Sequence, residues 1–398
     1  MTIKGQKFGD IYRTVPQSRL IETLRLEGYA YAPEETAHHE INQALEHWIS
    51  NGLGLRHDDK GQRLFDPVEV ISHLKTAGRE GRDDVWEKNF VTTLRRFVTD
   101  LSLTSATSTT VSYNRTFNSA YTPAGQPLRL RMPLPLAERY ARVDIEPELP
   151  PEVISHRISQ GRLEVRTSAS GAADIRIGAR LHLERLPAEN LPPPADRATY
   201  LRPKEGLIVI TNEIEALARR LAGTASPEAS IRAFWDYLMD EYIFTPLHYD
   251  QISPDAPLEW VMNAGCYDCQ MASAFFVALC RARGIPARLI GGHFLYGRSP
   301  TNHYWAEAWL ENKGWTPFDF LSWDISTGGK DAQWRDHFYG QIDARLVTEC
   351  LPNTFIGALG VPVPASWHIL RTVNGSGVEI ELIGTDNVSV YQDHISVV

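Results

Sequence analysis

The sequence predicts a multidomain α+β protein in which a cysteine-bearing helix packs on an antiparallel sheet. Three observations predict it. Behind Cys269, the residues Ala272, Phe275, Phe276 and Leu279 recur at i, i+3, i+4 and i+7, one buried stripe of a helix. Residues 303–310 then alternate with a two-residue rhythm and many aromatics, and after the turn signal Glu311-Asn312-Lys313-Gly314 a further short strand runs to Asp319. Far upstream, Ile175, Ile177, Ala179, Leu181 and Leu183 alternate with polar or small residues, which adds a separate β module.

In chain order, residues 1–100 read as helical. Ile41, Ala44, Leu45, Trp48 and Ile49 form one stripe, and Trp86, Phe90, Leu94 and Phe97 another. Between them, Asp66-Pro67-Val68-Glu69 offers an N-cap, a first-turn proline and a capping-box glutamate. Residues 101–200 form a β-rich domain that closes in the stiff linker Leu191-Pro192-Pro193-Pro194. The region 205–335 opens with two helices. The first carries Ile214, Leu217, Ala218 and Leu221 and ends at Gly223; the second starts at Ser226-Pro227 and buries Ile231, Phe234, Trp235, Leu238 and Met239. Residues 336–398 read as a small C-terminal β extension, with Asn374-Gly375 as a turn and Val378, Ile380 and Leu382 alternating after it.

The cysteine helix should start at or just before Cys269, because Gly284 supplies its left-handed stop and Pro286 prevents it from resuming. Unpaired N–H groups and the positive end of the helix dipole would then face the sulfur, an arrangement expected to lower the thiol pKa. A cysteine followed by His303 and Asp319 has the residue types of a nucleophile, its base and the base's orienter. The hairpin register decides whether the last two meet: a two-residue loop puts them on opposite faces, a three-residue loop on the same face. Pro317 suggests an edge strand.

Four ordered blocks resemble the core of the transglutaminase-like superfamily. They are Asp268-Cys269-x-x-x-Ser273, Arg281 to Arg288 around Gly284-Ile285-Pro286, His303-x-Trp305-x-Glu307, and Gly314-Trp315-x-Pro317-x-Asp319. Arg131-Met132-Pro133-Leu134-Pro135 is also similar to part of the β domain that often precedes such cores. The resemblance implies a papain-like core in which Cys269 attacks an amide, ester or thioester carbonyl, His303 shuttles the proton and Asp319 orients His303. The acyl group would pass to an amine, or to water in a peptidase or amidase, and the donor could be a peptide, a protein or a carrier-tethered thioester. An inactive scaffold that keeps the fold is the remaining expectation.

Other readings of the same residues are weaker. Cys266-Tyr267-Asp268-Cys269 is a C-x-x-C, yet redox chemistry does not explain the histidine and aspartate blocks, and zinc lacks ligands because Cys280 and Cys350 stand alone. A reversible Cys266–Cys269 disulfide that silences the nucleophile is a milder version. Glu307 is expected to pair with an arginine such as Arg288. The oxyanion site would use the Cys269 N–H and one of Asn263, Tyr249, Tyr242 or Trp260. His38-His39-Glu40 lacks further ligands at a fitting spacing, and Asn114-Arg115-Thr116 is an incidental glycosylation match.

Composition excludes more than it assigns. A net charge of −9, without a basic block, excludes nucleic acid as an expected partner. No run approaches a membrane span, no secretion signal is recognised near Met1 and cysteines are few, so the expectation is a cytoplasmic protein without membrane contact. No cofactor, metal or calcium loop is expected.

Overall fold

The computed structural model describes residues 14–20, 34–103, 108–117, 124–125, 127–159, 161–168, 174–186, 190–248, 251–253, 255–296, 302–350, 366–373, 376–383 and 391–398. The N-terminal layer contains helices α1 (Glu34–Ser50), α2 (Pro67–Arg79) and α3 (Thr92–Leu103). Asp66 caps α2 by accepting the Val68 N–H at 2.9 Å. Glu69 does not complete the expected capping box; its carboxylate is taken by both terminal nitrogens of Arg56, at 3.0 and 2.7 Å. Trp48, Val70, Leu74 and Phe90 bury the apolar stripes, and this layer shares one continuous core with the helices that follow.

The β module contains β1 (Ser108–Phe117), β2 (Pro127–Pro133), β3 (Tyr140–Glu148), β4 (Ser155–Ser159), β5 (Arg162–Ser168) and β6 (Ile175–Arg185). Residues 212–282 supply α4 (Asn212–Ala222), α5 (Pro227–Glu241), α6 (Pro257–Ala264) and α7 (Cys269–Ala282). Thr211 and Ser226 cap α4 and α5, and Gly223 leaves α4 with a φ of 53° that a side chain would resist. The central sheet has the order β9-β8-β7-β10, with β7 (Ala287–Phe294), β8 (Asn302–Leu310), β9 (Gly314–Phe318) and β10 (Arg345–Cys350), every neighbouring pair antiparallel. Pro317 therefore lies on an edge strand, where its missing N–H costs no ladder bond.

This sheet has two covered faces. Ala287, Leu289, Tyr304, Ala306 and Ala308 pack with α7, whereas Ile290, Trp305 and Leu346 join the core of the β module. Because side chains alternate along a strand, one set of residues builds both layers. A bulge falls between Gly291 and Gly292, and a Cβ on Gly292 would sit 2.0 Å from the Leu346 carbonyl oxygen. That close approach lets β10 run beside β7.

The boundary expected at residue 335 cuts through this arrangement. Strand β10 lies beyond it and is part of the central sheet, since its pairing is set by long-range ladder bonds that local patterning does not reveal. The later strands do not form a unit of their own either. The hairpin of β11 (Ser366–Val373) and β12 (Ser376–Ile383) extends the β2 sheet, and β13 (Tyr391–Val397) pairs along β1. The Asn374-Gly375 turn itself lies outside the described residues.

Candidate active site

Helix α7 starts at Cys269, where the sequence places it. Asp268 occupies the cap in an extended conformation and accepts the Met271 N–H at 2.8 Å. The first-turn N–H groups thus surround the cysteine, and the Gln270 N–H bears on its sulfur. The backbone N–H of Tyr304 also bonds to the sulfur, which places it against the residue that follows His303. Nucleophile and base candidates therefore meet where the head of α7 touches the start of β8.

The β8–β9 turn has three residues, since Leu310 pairs with Gly314. His303 and Asp319 consequently share a face, the outcome that the register left open. His303 donates from Nε2 to both Asp319 oxygens at 2.9 Å, which fixes the tautomer and leaves Nδ1 for a thiol proton. Asp319 is fully buried. It also accepts the Leu321 N–H at 2.8 Å, at the start of the short helix α8 (Leu321–Ile325), and pairs with Arg345. Burial opposes the charge on Asp319, but Arg345 and His303 outweigh it and hold the carboxyl well below the usual range.

Arg345 was not legible in the sequence. It reaches in from β10, bonds Asp343 at 2.7 Å, and lies 4.9 Å from the Phe294 ring centre and 5.1 Å from those of Trp305 and Phe338. The same Phe294 ring stacks on His303 at 4.3 Å. Arginine and imidazole are thus fixed by one aromatic wall.

The thiol differs from the sequence expectation. Burial pushes the Cys269 thiol up, and the Asp268 carboxylate pushes it further, while the Tyr304 and Gln270 N–H groups pull the other way and lose. Burial likewise lowers His303 against the upward pull of Asp319. Both shifts run towards an uncharged thiol and an uncharged imidazole. Helix-terminus reasoning missed this because it leaves out the desolvation of a buried sulfur, to which the carboxylate that caps the helix adds.

Residues 215–320, which contain all three site candidates, match the model of the transglutaminase-like superfamily. The chain carries a transglutaminase-like core. No curated protein matches the chain. Among solved structures, one from Cytophaga hutchinsonii described as a candidate cysteine protease aligns with a TM-score of 0.43 and 13% identity, over 73% of this chain and 90% of its own. The periplasmic domain of TgpA from Pseudomonas aeruginosa aligns with a TM-score of 0.32 and 16% identity, over 59% of this chain and 95% of its own.

Around the transglutaminase-like core, two further charged groups are buried. Glu307 binds Arg288 at 2.7 Å, the expected partner, and also Arg139 from the β module, so it ties the two units together. Lys75 of α2 pairs with Asp324 of α8 at 2.6 Å; both are nearly buried, and the ammonium stands in electrostatic reach of Cys269. Its signal in the sequence is a lysine four residues after Ile71, on the face that the helical period makes apolar.

The remaining candidates separate. Tyr242 bonds its hydroxyl to Tyr237 at 3.0 Å, Asn263 is exposed on α6, and Trp260 lines a cleft beside α2. Tyr249 lies outside the described residues, as do the side chains of His38, His39 and Glu40. Cys266, on a two-residue strand before α7, is a free thiol that burial pushes up to about 11. Asn114 of the sequon is buried in β1, bonded to Ser112, which fits the incidental reading.

Proposed function

We propose that the protein is a cysteine-dependent acyl-transfer enzyme that makes or exchanges amide bonds through a thioester on Cys269. The observation that carries this reading is the imidazole of His303, held by both oxygens of a buried, ionised Asp319, on the strand whose next residue, Tyr304, bonds its N–H to the Cys269 sulfur. His303 Nδ1 takes the thiol proton as the sulfur attacks the donor carbonyl, and returns it to the leaving amine, alkoxide or thiolate. The Cys269 N–H at the head of α7 faces the developing oxyanion. Reversal of the same steps delivers the acyl group to an amine, with His303 accepting the amine proton and the thiol released.

The test uses p-nitrophenyl acetate with and without an added primary amine. The expected result is a burst of nitrophenolate, an acetyl group on Cys269 by peptide mass, and acetylated amine as the main product. Loss of the burst in Cys269→Ala and a fall of about 100-fold or more in His303→Ala accompany it. Acetate as the sole product in the presence of amine shifts the reading to hydrolysis. No acylation of Cys269 would refute acyl transfer altogether.

A further inference from the structure

Lys75 and Asp324 meet at 2.6 Å between α2 and α8, and both side chains are nearly sealed from water. The cavity beside them, about 20 Å³, is otherwise lined by apolar and aromatic side chains such as Ile71, Leu74, Phe90 and Leu94. It has room for about one water, so the field of the pair is little screened. Stability alone does not account for such a pair, because apolar side chains of the same volume are often as stable or more so.

The two charges face different partners. The ammonium lies 4.9 Å from the centre of the Phe244 ring, and Phe244 pairs with Tyr267 on the two-residue strand that leads into Cys269. The charge on Lys75 accordingly interacts with Cys269. Asp324 instead lies in α8, whose first N–H bonds Asp319, the partner of His303, and its charge interacts with His303 and Asp319.

We propose that this pair is an oriented dipole that promotes proton transfer within the site, its positive end towards Cys269 and its negative end towards His303. The proposal deepens the acyl-transfer reading and rests on it for the role of that transfer. When the proton passes from the Cys269 sulfur to His303 Nδ1, the thiolate forms on the side of the ammonium and the imidazolium on the side of the carboxylate. Burial opposes that separation at both groups, and the dipole offsets part of the cost. Lys75 and Asp324 are thus positioning residues that act through Cys269 and His303. Asp268 and Asp319 also face Cys269, while Asp319, Arg345 and Asp343 face His303, and the variants below leave all of these in place.

The experiment removes both charges at once, in Lys75→Met with Asp324→Leu and, as a polar isostere, in Lys75→Gln with Asp324→Asn, each checked for a cooperative urea transition. Iodoacetamide labelling of Cys269, read by peptide mass from about pH 6 to 10, follows the thiolate. Ring NMR of His303, assigned by its loss in His303→Gln, follows the imidazolium. The rise in labelling is expected about half a pH unit or more above that of the parent, and the His303 midpoint about half a unit or more below. These directions separate the dipole from packing, because a loosened site admits water and relaxes both groups the other way, towards their ordinary values. Relaxation of that kind, a group that does not move, or the failure of both variants to fold would assign the pair to packing and overturn the proposal. Neither readout needs an acyl donor. A protein that labels and titrates as expected, yet is not acylated by p-nitrophenyl acetate, refutes acyl transfer alone.

Discussion

At the residue scale, the site is organised by Asp319, whose charge is worth its burial only because Arg345 and His303 both face it. Replacing Arg345 with Met leaves a buried carboxylate without its strongest partner. The expected outcome is a loss of about 3–5 kcal/mol in chemical denaturation and a fall in kcat/KM on the order of 100-fold, as the carboxyl rises and releases the imidazole. Acid should act on the same group: its folded pKa is depressed, so its contribution to stability is present above the unfolded value near 4 and fades as pH falls towards the folded one. A second prediction concerns the base. Burial lowers His303, so it is neutral and able to accept a proton below pH 6.5, and the acid limb of kcat/KM should lie under that value. Asp319→Asn removes an upward pull and should move the limb lower still. A limb above pH 6.5 in the parent would contradict the neutral pair.

At the scale of elements, the pair Lys75–Asp324 joins α2 to α8, and α8 begins at the N–H that bonds Asp319. Lys75→Met should destabilise the protein by about 3–5 kcal/mol, because Asp324 would be left as an isolated buried charge. The double variant Lys75→Met with Asp324→Leu should regain most of that, which a double-mutant cycle in urea would read. On β10, burial raises Glu349 to about 7. Its folded pKa lies above its unfolded one, so stability should decline as pH rises from about 4.5 to 7, and Glu349→Gln should raise the Tm at pH 8 by a few degrees while flattening that decline. These elements also mark how far the sequence can be read. The caps of α2, α4, α5 and α7 are local chemistry, spelled by Asp66, Thr211, Ser226 and Asp268, and all four helices start where those residues stand. The Cys269, His303 and Asp319 candidates were legible for the same reason, as three blocks with fixed order. Arg345 and Lys75 were not, because each enters the site from an element distant in sequence, and their places depend on the β7–β10 register and on the packing of α2.

At the scale of the molecule, the β module is closed by strands from the far end of the chain. A version ending at residue 335 loses β10, Arg345 and one neighbour of β7, and should be insoluble or fail to unfold cooperatively. A version ending at 350 keeps the central sheet but bares β1 and β2 along the edges that β13 and β11 cover, and should self-associate on size-exclusion chromatography. The N-terminal layer has a different standing. Because it supplies Lys75 to Asp324, five residues from Asp319, and shares one apolar core with the helices around the site, its removal by a protease should unseat the reaction centre. It cannot serve as a detachable cover whose cleavage switches the molecule on, and nicking in that layer should extinguish activity. Both shifts at Cys269 and His303 favour the uncharged pair, so the separation of charge between them is expected to wait on what enters the site.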